Sequence, residues 1–75
     1  MATIDEQMAT VTFTARELAR LESSLETSYE RWRDTGRSYA ATGMQREARA
    51  AKHLAEQHEQ LGRRVRAIRQ KLHSV

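Results

Sequence analysis

Five cations crowd into nine residues near the C-terminal end: Arg63, Arg64, Arg66, Arg69 and Lys71. Such a run can neutralise phosphates on a nucleic acid or acidic groups on a protein surface. On a helix these five spread around several faces and trace no single narrow stripe. No aromatic side chain is interleaved for bases to stack on. The plainer role is to keep the helix solvated and to complement the dipole at its C-terminal end. His58 is the next candidate, since it falls among aliphatic side chains. A metal would require a further ligand three or four residues away, and His53, five residues earlier, lies off that face. His58 therefore reads as a satisfied polar residue that sets register in an apolar seam. The sequence contains no cysteine, no glycine-rich phosphate loop and no histidine–carboxylate pair at a productive spacing. No catalytic residue, cofactor site or metal site is expected, and the chain is not expected to be an enzyme.

Aromatic residues are few. Trp32, with Tyr29 beside it and Tyr39 across the turn, fits the plug at the end of a small core and fits an interface anchor equally well.

The elements that position these residues are helical. The 75 residues include no proline and three glycines, so little in the chain forbids long helices. One domain of this size buries little apolar surface unless it is stapled or oligomeric. No run of apolar residues is long enough to span a membrane, and the N-terminus lacks the order of a signal peptide. Cysteine-free composition suits a reducing compartment, so a cytoplasmic protein with no membrane partner is expected. Charge is uneven. Residues 1–45 hold seven acidic and five basic side chains, whereas residues 46–75 hold three acidic and eight basic ones. The two halves are thus suited to each other or to an external partner.

Thr14 followed by Glu17 spells a capping box, with Phe13 and Leu18 at the positions of a hydrophobic staple. Helix 1 is expected from Ala15 to about residue 34. Its apolar line is Leu18, Leu21, Leu25 and Trp32, with Ser28 in the intervening slot and Tyr29 widening the stripe. Asp34-Thr35-Gly36 reads as its end, the glycine supplying a left-handed cap. A second start lies at Ser38 or at Thr42, where Thr42-Gly43-Met44-Gln45 is another capping-box spelling. Helix 2 is then expected over about 40–73. Met44, Glu47, Ala51, Leu54, His58, Leu61, Val65, Ile68, Leu72 and Val75 follow alternating three- and four-residue steps. These lengths correspond to roughly 30 Å for helix 1 and roughly 45 Å for helix 2. A hairpin of two such helices leaves an overhang carrying Leu61, Val65, Ile68 and Leu72, which something must cover. Glu22, Glu26, Glu30 and Asp34 form an acidic stripe on helix 1, with Arg46, Arg49 and Lys52, or the 63–71 cluster of another chain, as its expected counterparts. Residues 1–12 form an N-terminal arm. Ile4, Met8 and Val11 have helical spacing, so residues 3–11 read as a short helix or as a frayed tail.

The order Thr10-Val11-Thr12-Phe13-Thr14, helix, Gly36-Arg37-Ser38, helix resembles that of ribbon-helix-helix repressors. The resemblance implies DNA binding, with Thr10, Thr12 and Thr14 facing bases and Val11 and Phe13 facing the core. The chain departs from that pattern in two ways. The stretch from Thr14 to Gly36 is longer than the family's first helix by more than a turn. The base-facing positions hold only threonines, with no residue for bidentate contacts. Phe13 is also accounted for by the staple.

The fold expected is thus all-α: an antiparallel, coiled-coil-like hairpin over residues 13–75, completed by dimerisation into a four-helix bundle or by a partner. The function expected is protein–protein interaction, as an adaptor, inhibitor or co-chaperone, with DNA binding the alternative. In size and shape alone the chain resembles phage-encoded regulators of host proteins. Partner-binding residues are Tyr29 and Trp32 as anchors, Leu61, Val65, Ile68 and Leu72 as the apolar strip, and Arg63, Arg64, Arg66 and Arg69 for electrostatic steering.

Overall fold

Thr14 starts the first helix by the chemistry read from its sequence. In the computed structural model, which describes residues 10–73, its backbone is extended and its hydroxyl accepts from the Glu17 N–H at 3.1 Å. The Glu17 carboxylate accepts in return from the Thr14 N–H at 2.9 Å. Two otherwise orphaned donors of the first turn are satisfied reciprocally. Hydrogen bonding of the carboxylate to the Thr14 backbone N–H, and next to the Thr14 side chain, holds the Glu17 carboxyl below its ordinary pKa. Residues 10–14 lead into this cap without forming a strand, and no strand occurs among the described residues. Ile4 and Met8 of the arm, and Val75 at the end of the second apolar pattern, lie outside the described residues.

Helix α1 runs over Ala15–Ala41 and helix α2 over Gln45–His73. The expected end of the first helix near residue 34 is therefore corrected: Asp34, Thr35 and Gly36 are helical. Glycine in a helix interior costs about 1 kcal/mol against alanine, an amount that packing readily overrides. Here the packing is visible. A Cβ built on Gly36 would lie 3.5 Å from the Ala48 carbonyl oxygen and 3.5 Å from the Ala51 Cβ. Gly36 is where the two helices approach each other closely.

The true stop comes seven residues later. Thr42 closes α1, its hydroxyl donating to the carbonyls of Tyr39 at 3.0 Å and Ser38 at 3.2 Å. Gly43 follows in the left-handed region at φ 79°. The Gly43 N–H donates to Ala40 and the Met44 N–H to Tyr39, the two bonds of a Schellman termination. Thr42-Gly43-Met44-Gln45 thus ends one helix, although its spelling also reads as the start of the next. Helix α2 begins at Gln45, later than expected, because Gly43 cannot be both a left-handed cap and a helical residue.

Glu22 reaches Arg66 and Arg69, Leu25 lies over Gly62, and Gly36 meets Ala48 and Ala51. Numbers rise along α1 as they fall along α2, so the pair is an antiparallel hairpin. With 27 and 29 residues, the helices are about 40 and 44 Å long. The expected overhang of several turns is absent, because α1 is longer than its glycine suggested.

Leu18, Leu25, Ala51, Ala55 and Val65 are the buried apolar residues between the helices, with Leu21 packed against the cluster. The inner line of α1 follows Leu18, Glu22, Leu25, Tyr29 and Gly36. That of α2 follows Ala51, Ala55, His58, Gly62, Val65 and Arg69. Alanine and glycine therefore take much of the seam; Leu18 and Leu25 hold their expected places, while Leu54, Leu61 and Leu72 are displaced to one side. His58 is half-buried, and its Nδ1 lies 2.7 Å from the Leu54 carbonyl one turn earlier. The ring thus donates within its own helix, a satisfied polar residue of the seam.

Candidate functional site

Helical geometry sorts what remains outside the seam into two faces. On α1, Leu21, Ser24, Ser28, Trp32, Thr35 and Tyr39 lie to one side of the line through Leu18, Leu25 and Gly36. On α2, Ala50, Leu54, Gln57, Leu61, Ile68 and Leu72 lie to the same angular side of Ala51, Ala55 and Gly62. Because the helices are antiparallel, equal angular offsets bring both sets to the same side of the hairpin. These twelve residues are uncharged, but Glu17 shares the angular position of Thr35 about five turns away, and Arg31 borders Trp32, Ser28 and Thr35. Leu61, Ile68 and Leu72 remain 45%, 51% and 49% exposed, whereas Leu21, Trp32 and Leu54 are half-buried at the border with the seam. Trp32 lines a shallow depression with Ser28, Arg31 and Thr35. The result is a broad, largely apolar face spanning both helices, with Glu17 at one end of its α1 side and Arg31 at its border.

The structure treats the expected interaction residues unequally. Leu61, Ile68 and Leu72 share the apolar face with Trp32. Val65 does not: it is 5% exposed and packs on Leu18 and Leu25 inside the hairpin. Its assignment to an exposed strip rested on an overhang that does not exist. Tyr29 is also separated from Trp32. It faces the two troughs on the opposite side of the hairpin, with the Arg33 guanidinium 5.5 Å above its ring.

The C-terminal cations are largely occupied. Glu22 bridges Arg66 and Arg69, accepting from the Arg66 Nε at 2.9 Å and from the Arg69 Nε at 2.7 Å. Arg63 pairs with Glu59 one turn before it. Arg64 is exposed, with no ion pair among the described residues. Of the two counterparts expected for Glu22, the basic residues at the start of α2 are not met; antiparallel register sets it against the 63–71 cluster, that of its own chain.

Accepting from Arg69 and then Arg66 lowers the Glu22 carboxyl from its ordinary pKa of 4.5, and the same contacts raise that of Arg66. A carboxylate whose folded pKa is lowered contributes stability above its unfolded pKa and loses it as pH falls through the lowered value. Helicity followed on acid titration should accordingly begin to fall near pH 4.5 and continue below it. Glu22→Gln should flatten that part of the curve and lower the melting temperature at pH 7, with little further change at pH 3. An unchanged acid limb in Glu22→Gln would show that the clamp does not stabilise the hairpin.

No known family, curated protein or solved structure matches this chain. The surface itself must therefore carry the functional reading. Among the described residues no cluster of three or more histidines or carboxylates is placed to hold a metal ion. No described helix is long and apolar enough to cross a membrane. The sequence pattern found the residues of the apolar face but set them in the seam. Leu21 and Leu54 belong to that face as well. Alternation of three and four residues cannot distinguish a seam from a parallel line one flank away, since both have the same period.

Proposed function

We propose that the chain is a small, non-enzymatic, cytoplasmic protein–protein interaction module that docks through its largely apolar face. A second copy stacked on that face would close a four-helix bundle, and the same face would alternatively seat on a larger target. One observation carries the reading. Large side chains, Trp32, Leu54, Leu61, Ile68 and Leu72, lie on an outer face while alanine and glycine occupy much of the inner seam. A hairpin that had only its own interior to fill would arrange them the other way round. Fully burying an exposed leucine or isoleucine contributes roughly 1.5–3 kcal/mol. Leu61, Ile68 and Leu72 are about half exposed, so covering each contributes roughly half that, and the three together remain a driving force. The surrounding charge would set orientation and on-rate more than affinity. An adaptor, an inhibitor or a co-chaperone fits this description.

The test is light scattering after size exclusion over a roughly hundredfold dilution, with helicity followed alongside. Self-association that disappears in Leu61→Gln/Ile68→Gln/Leu72→Gln, with the variant still helical, supports the bundle. A monomer whose helicity is incomplete points to a larger target. A fully helical monomer, indifferent to dilution and to these substitutions, removes the basis of the proposal. DNA retention that falls steeply with salt and vanishes in Arg63→Gln/Arg64→Gln/Arg66→Gln would favour the nucleic-acid alternative.

A further inference from the structure

The opposite face of the hairpin carries a different kind of surface. Near the turn, a trough of about 490 Å³ runs between the helices. Tyr29, Gly36, Ala40, Ala48 and Ala55 give it an apolar lining, and Arg33, Arg37, Arg49 and Lys52 stand around it. The trough exists because the helices approach closely here on small residues, so no side chain fills the space beside the contact. Its cations come from both helices and are gathered only by folding.

These cations differ from those near the C-terminal end. Arg66 and Arg69 are clamped by Glu22, and Arg63 by Glu59. Arg37, Arg49 and Lys52 have no ion pair among the described residues, while Arg33 meets Asp34 at a loose 3.8 Å. The acidic stripe that the sequence offered as their counterpart is engaged elsewhere at Glu22. The largest unanswered positive charge beside a concave surface is therefore at the turn end.

We propose that this trough docks an acidic, amphipathic peptide segment of a partner protein. Its carboxylates would meet Arg37, Arg49 and Lys52, and a small apolar side chain would rest on the alanine lining. Charge complementarity selects an anionic occupant. Three features select a peptide over a nucleic acid. A phosphodiester backbone has no apolar group for the alanine surface. The Tyr29 ring, which could stack on a base, lies under Arg33. Glu56 lines the same trough, beside a Glu59 already paired with Arg63, and would repel a continuous run of phosphates, whereas a peptide can alternate its charges. This surface lies across the hairpin from the apolar face and does not depend on it.

The experiment is fluorescence anisotropy of the full chain with a labelled helical peptide of alanine, leucine and glutamate, beside a short DNA duplex. Arg37→Gln/Arg49→Gln/Lys52→Gln should weaken peptide binding by roughly tenfold or more, with helicity retained. Arg20→Gln/Arg31→Gln/Arg64→Gln removes the same charge from exposed positions elsewhere and should weaken it by less than about twofold. Ala40→Leu, which fills the trough and leaves every charge in place, should also weaken binding. Leu61→Gln/Ile68→Gln/Leu72→Gln should leave it intact, so the two surfaces can fail separately. Equal losses in the two charge variants, or no effect of Ala40→Leu, would overturn the proposal by showing diffuse attraction alone. Tighter binding of the duplex, lost in the Arg37 variant, would overturn it in favour of nucleic acid.

Discussion

Leu25→Ala is expected to leave the hairpin largely unfolded at 25 °C. Leu25 is buried in the middle of α1, where it lies over Gly62 and in the cluster with Leu18 and Val65. Truncating a buried leucine costs about 2–5 kcal/mol, from the lost transfer free energy and from the cavity left behind. In a large domain that loss would be partial. Here the buried apolar set includes two alanines, so Leu18, Leu25 and Val65 supply most of its apolar area. The loss is then comparable to the whole stability available to so small a domain. Far-UV circular dichroism should show most of the helical signal gone, since an isolated helix of this length is marginal in water. Leu61→Ala is the informative control. Its side chain is 45% exposed, and alanine is the better helix former, so the hairpin itself should change by less than about 0.5 kcal/mol. Destabilisation by Leu61→Ala that grows with protein concentration would mean that the outer face is covered by another copy. A Leu25→Ala variant melting like the wild type would mean that the helices do not pack along this seam.

What could be read from the sequence was local. The capping box needs only Thr14 and Glu17, three residues apart, and both of its hydrogen bonds form. The two helices were visible because alanine, glutamate, glutamine, arginine and leucine dominate, and the antiparallel arrangement because a short connection permits little else. What escaped was whatever depends on a partner helix. A leucine count locates the largest side chains and assumes that they face inwards, but close helices are lined with small residues that such a count passes over. Beside Ala51, which the three-four pattern does include, Ala55, Gly36 and Gly62 therefore define the seam without announcing it. The trough is a second instance. Arg37 and Lys52 are fifteen positions apart in the sequence, and nothing local shows that they stand around one depression. The clamp at Glu22 is a third, because its choice between the two ends of α2 is set by register. Register in turn follows from where α1 stops, which makes the end of that helix the misreading from which most of the others descend.

The position of that stop also yields substitutions of opposite sign. Gly36 and Gly43 are both candidates for a left-handed cap, and a β-carbon separates them. At Gly36 the backbone is helical, and an added Cβ would meet its nearest neighbours at 3.5 Å, an ordinary van der Waals distance. Gly36→Ala should therefore stabilise the hairpin by about 0.5–1 kcal/mol, through the lower entropy of the unfolded chain. Gly43 has open space around it but a φ of 79°, so Gly43→Ala should cost about 1–2 kcal/mol for conformational reasons alone. Were Gly36 the cap, those signs would be exchanged. Gly36→Leu tests the close approach itself. Beyond the Cβ the side chain would run into the Ala48 carbonyl and the Ala51 methyl, and one of these is backbone that cannot rotate away. Overpacking of this kind costs typically about 1–3 kcal/mol. Here it would also push apart the helices beside the trough, so the variant should lose both melting temperature and peptide binding. Denaturant titration of the three variants separates the outcomes. A destabilised Gly36→Ala would show that α1 does not pass Gly36 against Ala48 and Ala51, and the seam, the clamp and the trough would all have to be redrawn from a different register.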